Sequence, residues 1–237
     1  MKATSRAPRI IRRILKILSS LLVIAINTLL IWRVFFSANI PAEIKTLTPT
    51  DGLRAAYAQS GDALILRYQE QATVTKSARS YGYFGVPQVI FIPEIQQVQL
   101  VFRYNDSTLK HLAKDYGLEG IPDKELTHFD VTLVKTTDLT PDNKEDNIVP
   151  ETLSSERFFP TAAYTERDTT SLYTYYRYVF DGITIEDVTA GIFVDVYYLG
   201  DVNYEKLPYG TLCLYDAPLP WISYKLTSAD KKELAIN

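Results

Sequence analysis

Gln97-Val98-Gln99-Leu100-Val101-Phe102-Arg103-Tyr104 carries the clearest structural signal in the chain. Val98, Leu100, Phe102 and Tyr104 fall on alternate positions, with Gln97, Gln99 and Arg103 between them. Successive side chains of an extended strand point to opposite faces, so the alternation predicts a half-buried antiparallel strand. The pattern recurs on both sides of it. Leu64, Leu66 and Tyr68 repeat with period two, as do Phe129, Val131 and Leu133 against Asp130 and Thr132. Ile192, Val194, Val196 and Tyr198 do the same against Asp195, and 172–180 and 211–215 are tyrosine-rich or apolar strand candidates. Gly61, Gly182, Gly200 and Gly210 separate such runs and suit turns. Leu207-Pro208-Tyr209-Gly210-Thr211 has a reversed likeness to a cell-wall sorting signal and reads as a turn between strands.

One helix interrupts the strands. Leu109, Leu112, Ala113 and Tyr116 have helical spacing, Asp106 or Ser107 is placed to cap the start, and Gly117 to end it. The expected fold class is therefore all-β: an antiparallel β-sandwich over 53–237 with one short helix at about 107–117. The acidic stretch 138–151 is the best place for a split into two small β domains.

Working toward the N-terminus, the composition divides. The formal charge of −3 over 237 residues conceals two unlike parts. Residues 1–37 hold seven basic side chains (Lys2, Arg6, Arg9, Arg12, Arg13, Lys16, Arg33) and no acid. The other 200 residues carry 18 basic against 28 acidic side chains, a net of −10. An acidic body disfavours nucleic acid, whose phosphates need an excess of Lys and Arg. The run 17–36 is almost wholly apolar, and 20 helical residues cover a ~30 Å hydrocarbon core. Trp32 suits the headgroup layer, and Arg33 is expected to snorkel to it. Basic flanks stay cytoplasmic, so the leader 1–16 is expected inside and the body outside, on a single-pass plasma-membrane anchor. Residues 37–52 are expected to be a juxtamembrane linker. A cleavable signal needs small residues in an A-x-A-like pattern, and Phe35 and Phe36 before Ser37 and Ala38 oppose it.

Catalytic patterns are sparse. His111 and His128 are the only histidines, and neither has a partner at metal-ligand spacing. Ser107 and Lys110 match S-x-x-K, but Lys135-Thr136-Thr137 stands where the penicillin-recognising pattern needs K-T-G. The loop carrying Asp138, Asp142, Asn143, Glu145, Asp146 and Asn147 lacks the spacing of an EF-hand. Phosphate loops and nucleophile elbows are absent from the sequence. No catalytic residue, metal or cofactor is expected. Cys213, the only cysteine, excludes a disulfide scaffold and is expected to be a buried thiol.

Aromatic residues are the remaining signal, with all 17 tyrosines in the body. A flat apolar ring with a polar tip suits protein interfaces and sugar stacking alike. The candidate binding residues are Tyr81, Tyr83 and Phe84 in a predicted loop, Tyr173 and Tyr175 on a strand, and Trp221, also expected to plug the C-terminal region. The sequence thus points to an anchored, extracytoplasmic, non-enzymatic module that binds a protein partner in a membrane or envelope assembly. A glycan or cell-wall binding module is the alternative, and an unrecognised hydrolase a second one.

Overall fold

The computed structural model describes residues 7–37, 41–68, 84–124, 129–136, 155–161, 166–169, 173–199, 206–213 and 221–235. They form two compact units, 1–40 and 41–237.

The first unit is helix α1 (Ala7–Ser37). Pro8 lies in its first turn, where a missing N–H costs nothing, and no glycine or later proline interrupts it. Within Arg12–Trp32 the most apolar 18-residue stretch has a mean hydropathy of 2.3, and every residue of Arg12–Trp32 is exposed. By length and composition it can cross a membrane.

The second unit, which begins four residues after α1, contains two antiparallel sheets. Six strands form the larger one: β1 (Leu66–Tyr68), β2 (Gly85–Ile92), β3 (Gln97–Tyr104), β6 (Glu166–Thr169), β7 (Thr174–Asp181) and β10 (Trp221–Ser223), in the order β10-β1-β2-β3-β7-β6. The smaller sheet has β4 (Phe129–Thr136), β5 (Ser155–Phe158), β8 (Ile192–Leu199) and β9 (Lys206–Cys213), in the order β5-β4-β8-β9. The alternating residues do what their spacing dictates. Val98, Leu100, Phe102 and Tyr104 of β3 and Tyr176, Tyr178 and Phe180 of β7 share one hydrophobic cluster with Phe129, Val131, Val194 and Val196 of the smaller sheet. The Phe129 ring lies 4.8 Å from Tyr104 and 5.5 Å from Phe102, and the Tyr178 hydroxyl donates to the Phe129 carbonyl at 3.1 Å.

A second cluster occupies the opposite face of the larger sheet. Ile65, Ile90 and Ile92 meet Leu47, then Leu53 and Tyr57 of a helix, and Leu234 near the C-terminus. This face was expected to meet solvent, and the sequence reading of a single helix is corrected here. Besides α1, the described residues include α2 (Ala42–Lys45), α3 (Asp51–Ser60), α4 (Asp106–Tyr116), α5 (Ile185–Ala190) and α6 (Ser228–Glu233). Each of α3 to α6 is marked by a side-chain cap. Thr50 accepts from Leu53 N, and reciprocal capping boxes join Asn105 to Thr108, Thr184 to Asp187 and Thr227 to Asp230. The cap of α4 is thus Asn105 rather than Asp106 or Ser107, while Gly117 ends it in the left-handed conformation (φ 63°), as expected. The stretch read as a linker belongs to the body from Pro41 on, and Leu47 within it is fully buried.

One predicted turn is a strand. Leu207 to Thr211 lie inside β9, where Pro208 is tolerated because β9 is an edge strand that can forgo an N–H donor. The register shifts there, so that Tyr209 bulges between Pro208 and Gly210. Its ring enters the core against Phe84 and Phe129, and its hydroxyl donates to the Thr108 carbonyl at 3.3 Å.

Phe102 is fully buried between the sheets and touches three aromatic rings. Phe102→Ala is expected to cost about 3–5 kcal/mol through lost burial and the cavity left behind. Ile121→Ala, at an exposed position, should stay within about 0.5 kcal/mol. Urea unfolding of the full chain in micelles, followed by tyrosine and tryptophan fluorescence, measures both.

Candidate functional site

The most elaborate polar arrangement lies on the outward positions of β2, β3 and β7, beside the second cluster. Period two places Gln88, Gln97, Gln99 and Arg177 on the face that a two-layer protein would leave to water. All four are buried, Gln99 at 6% and Arg177 at 7% exposure. Their cover is the segment 45–50.

Gln99 reads the backbone of Thr48 with both ends of its amide. Its Oε1 accepts from Thr48 N at 2.8 Å, and its Nε2 donates to Thr48 O at 3.0 Å. That pair of bonds is what a neighbouring antiparallel strand would supply. Arg177 Nη2 donates to Thr46 O at 3.0 Å and Thr48 Oγ1 at 2.9 Å. Gln88 Nε2 donates to Lys45 O at 3.0 Å. The chain of bonds continues through Gln97, which accepts from Gln99 Nε2 and Thr50 Oγ1 and donates to Asp181. Asp181 in turn accepts from Thr161 at 2.7 Å.

Asp230 closes the segment from the other side. Its Oδ1 accepts from Leu47 N at 2.8 Å. Its Oδ2 accepts from Thr227 N, Thr227 Oγ1 and Tyr224 Oη at 2.6–2.7 Å. Burial alone would raise the carboxyl's pKa. The donors from Thr227, Leu47 and Tyr224 outweigh burial and hold it below the ordinary value of 3.8. The Tyr224 hydroxyl moves the opposite way, raised by burial and by the adjacent carboxylate.

What this arrangement holds is the chain's own backbone. The hollow lined by Thr46, Thr48, Gln88, Gln99 and Arg177 measures about 10 Å³, room for about one water molecule. Small-molecule sites are larger by more than an order of magnitude, at about 300 Å³ upward. The polar alternation of β3 was visible in sequence but read as a solvated face. The signal that distinguishes the two is that Gln97 and Gln99 are neutral amides rather than charges.

The aromatic candidates separate. Phe84 (4% exposed) and Tyr175 (0%) are interior residues, so neither presents a ring face to a ligand. Tyr173 is half-buried, with the Arg103 guanidinium 4.6 Å above its ring. Trp221 is also half-buried and packs edge-on against Tyr68 at 5.2 Å and Phe91 at 6.1 Å. Tyr81, Tyr83, His128 and the acidic stretch 138–151 lie outside the described residues. The structure does not bring Tyr173 and Trp221 together: Tyr173 immediately precedes β7, Trp221 opens β10, and β1, β2 and β3 lie between those strands. Ser107 and Lys110 are exposed on α4, and His111 Nδ1 lies 2.7 Å from the Ser107 carbonyl. Among the described residues no three His, Cys, Asp or Glu side chains are grouped to hold a metal ion.

Asp230 gives the seam a pH signature. A carboxyl whose pKa is lowered by folding stabilises the folded state above its unfolded pKa, and that contribution is lost as pH falls through the folded value. Asp230→Asn should therefore cost about 2–3 kcal/mol at pH 7. The gap to the unmodified protein should close below pH 3.8, where the native carboxyl takes up its proton. Urea midpoints between pH 3 and 7 test this, and a gap independent of pH would contradict it.

Comparison with protein-family models, curated proteins and solved structures finds no match to the chain.

Proposed function

We propose that this protein is a single-pass, membrane-anchored interaction module. In this reading α1 spans the plasma membrane with its basic leader in the cytoplasm. The two sheets pack as a β-sandwich carrying a helical layer on one face. The acidic body lies on the extracytoplasmic side and binds a protein partner within a membrane or envelope assembly.

The observation that carries the reading is α1 itself. The residues from Arg12 to Trp32 are all exposed, their large apolar side chains included. So large an exposed apolar surface calls for a non-aqueous partner, and a bilayer supplies one. The basic leader without acids supports the orientation. A binding role rather than catalysis is supported by where the buried polar groups go. Gln88, Gln97, Gln99 and Arg177 hold the chain's own backbone instead of converging on an open cleft. A glycan role is less well supported, because Phe84 and Tyr175 are interior and present no stacking platform.

Two experiments test the two halves. In a Cys213→Ser background, Lys114→Cys on exposed α4 should react with a membrane-impermeant maleimide on intact cells, and Ser5→Cys only after permeabilisation. The reverse pattern would invert the topology. A pull-down of the full chain in mild detergent should bring down a reproducible protein partner, and its absence across detergents would remove the interaction role.

A further inference from the structure

Arg33 lies near one end of the apolar run 17–36, and away from the ends Asn27 is its most polar side chain, standing near the middle. It is ten residues from Ile17, about 15 Å along the axis, and nine from Phe36. Even measured from Trp32 it lies about 7 Å inside. An amide carries two N–H donors and a carbonyl acceptor, and leaving these unbonded in hydrocarbon costs several kcal/mol in the limit. Ser19 solves its own problem by donating to the Lys16 carbonyl at 3.1 Å. The Asn27 side chain is exposed and has no hydrogen-bond partner among the described residues.

Seven residues is nearly two helical turns, so Ser20 and Asn27 share one face, with Val23 and Leu30 filling a heptad-like seam between and beyond them. Such a seam, apolar with one central amide, is how helices associate in lipid, where packing and interhelical hydrogen bonds replace the hydrophobic effect.

We infer that α1 pairs in parallel with α1 of a second copy of this chain, through a seam centred on Asn27. The argument for a second copy is self-complementarity. Single-pass copies sharing one orientation place their Asn27 side chains at the same depth. Each amide can then donate to the other's carbonyl and accept from its N–H, which satisfies both without any further polar group. A helix of different sequence would need its own polar residue at that depth. Lys16 and Arg13, on the same face, lie at the leader end, where they can reach water and lipid headgroups.

This inference rests on the membrane reading of α1, so the test separates the two. Membranes carrying the full chain are first washed with alkaline carbonate. The chain is then examined by sedimentation equilibrium in density-matched micelles at several detergent ratios. The expected result is retention in the membrane and a monomer–dimer equilibrium. Asn27→Leu should weaken dimerisation roughly 5- to 30-fold, the range measured for such hydrogen bonds in model helices. Asn27→Gln, which keeps the amide, should preserve most of it, and Ser19→Ala should leave it unchanged. Asn27→Leu makes the helix more apolar, so it still inserts, and an unaltered near-UV spectrum would show the body intact. Release by carbonate would overturn the membrane reading and the inference together. Retention with a monomer at every ratio, or with dimerisation indifferent to Asn27→Leu, would overturn the inference alone. So would crosslinking from α1 in native membranes that captures a different protein and never a second copy.

Discussion

The two bonds between the Gln99 side chain and the backbone of Thr48 are the constraint on which the body's outer layer depends. They let a segment with no strand neighbour of its own lie on a sheet as though it had one. Antiparallel sheets often leave one face to water. Here the larger sheet is closed on both faces, and the second closure mixes apolar contacts with polar ones. Leu47 enters the cluster with Leu53 and Ile90, while the flanking Thr46 and Thr48 are held by Arg177 and Gln99. Once 45–50 covers these groups, every donor and acceptor has to be met, because an unmet one costs about 1–3 kcal/mol. A buried polar network of this kind specifies one register and tolerates few others.

The same logic explains the composition of the seam. Glutamine and threonine pay a smaller burial cost than carboxylates or ammonium groups, and their geometry matches peptide groups. The buried carboxylate that joins the seam, Asp230, accepts four hydrogen bonds, which keeps it ionised despite full burial. On the smaller sheet the buried Asp195 of β8 is met differently, by Arg157 of β5 reaching across β4 at 3.0 Å.

How much of this was legible follows from what period two can and cannot encode. It located β3, β4, β7 and β8, because Val98 to Tyr104 and Ile192 to Tyr198 put apolar side chains on one face of a shared core. The α4 region was legible from the spacing of Leu109, Leu112 and Tyr116 and the stop at Gly117. Alternation says which residues share a face, not what covers that face, so Gln97 and Gln99 passed for solvated residues. The helices α3, α5 and α6 are six to ten residues long, too short for a helical period to stand out, though their caps at Thr50, Thr184 and Thr227 were in view. Of the aromatic candidates, Phe84 and Tyr175 were misjudged as accessible because tyrosine and phenylalanine fit a strand's interior and exterior positions equally well.

The hydrogen bond from Leu47 to Asp230 spans 183 residues. During synthesis at ordinary rates, the first partner therefore leaves the ribosome roughly ten to forty seconds before the second. Through that interval the outer face of the larger sheet has no C-terminal lock, and β1 still lacks its neighbour β10. The segment that follows α1 is thus locked only after the strands beneath it have been made. Translation order makes the docking of α6 a late step of folding, and changes in α6 act on the segment that follows α1.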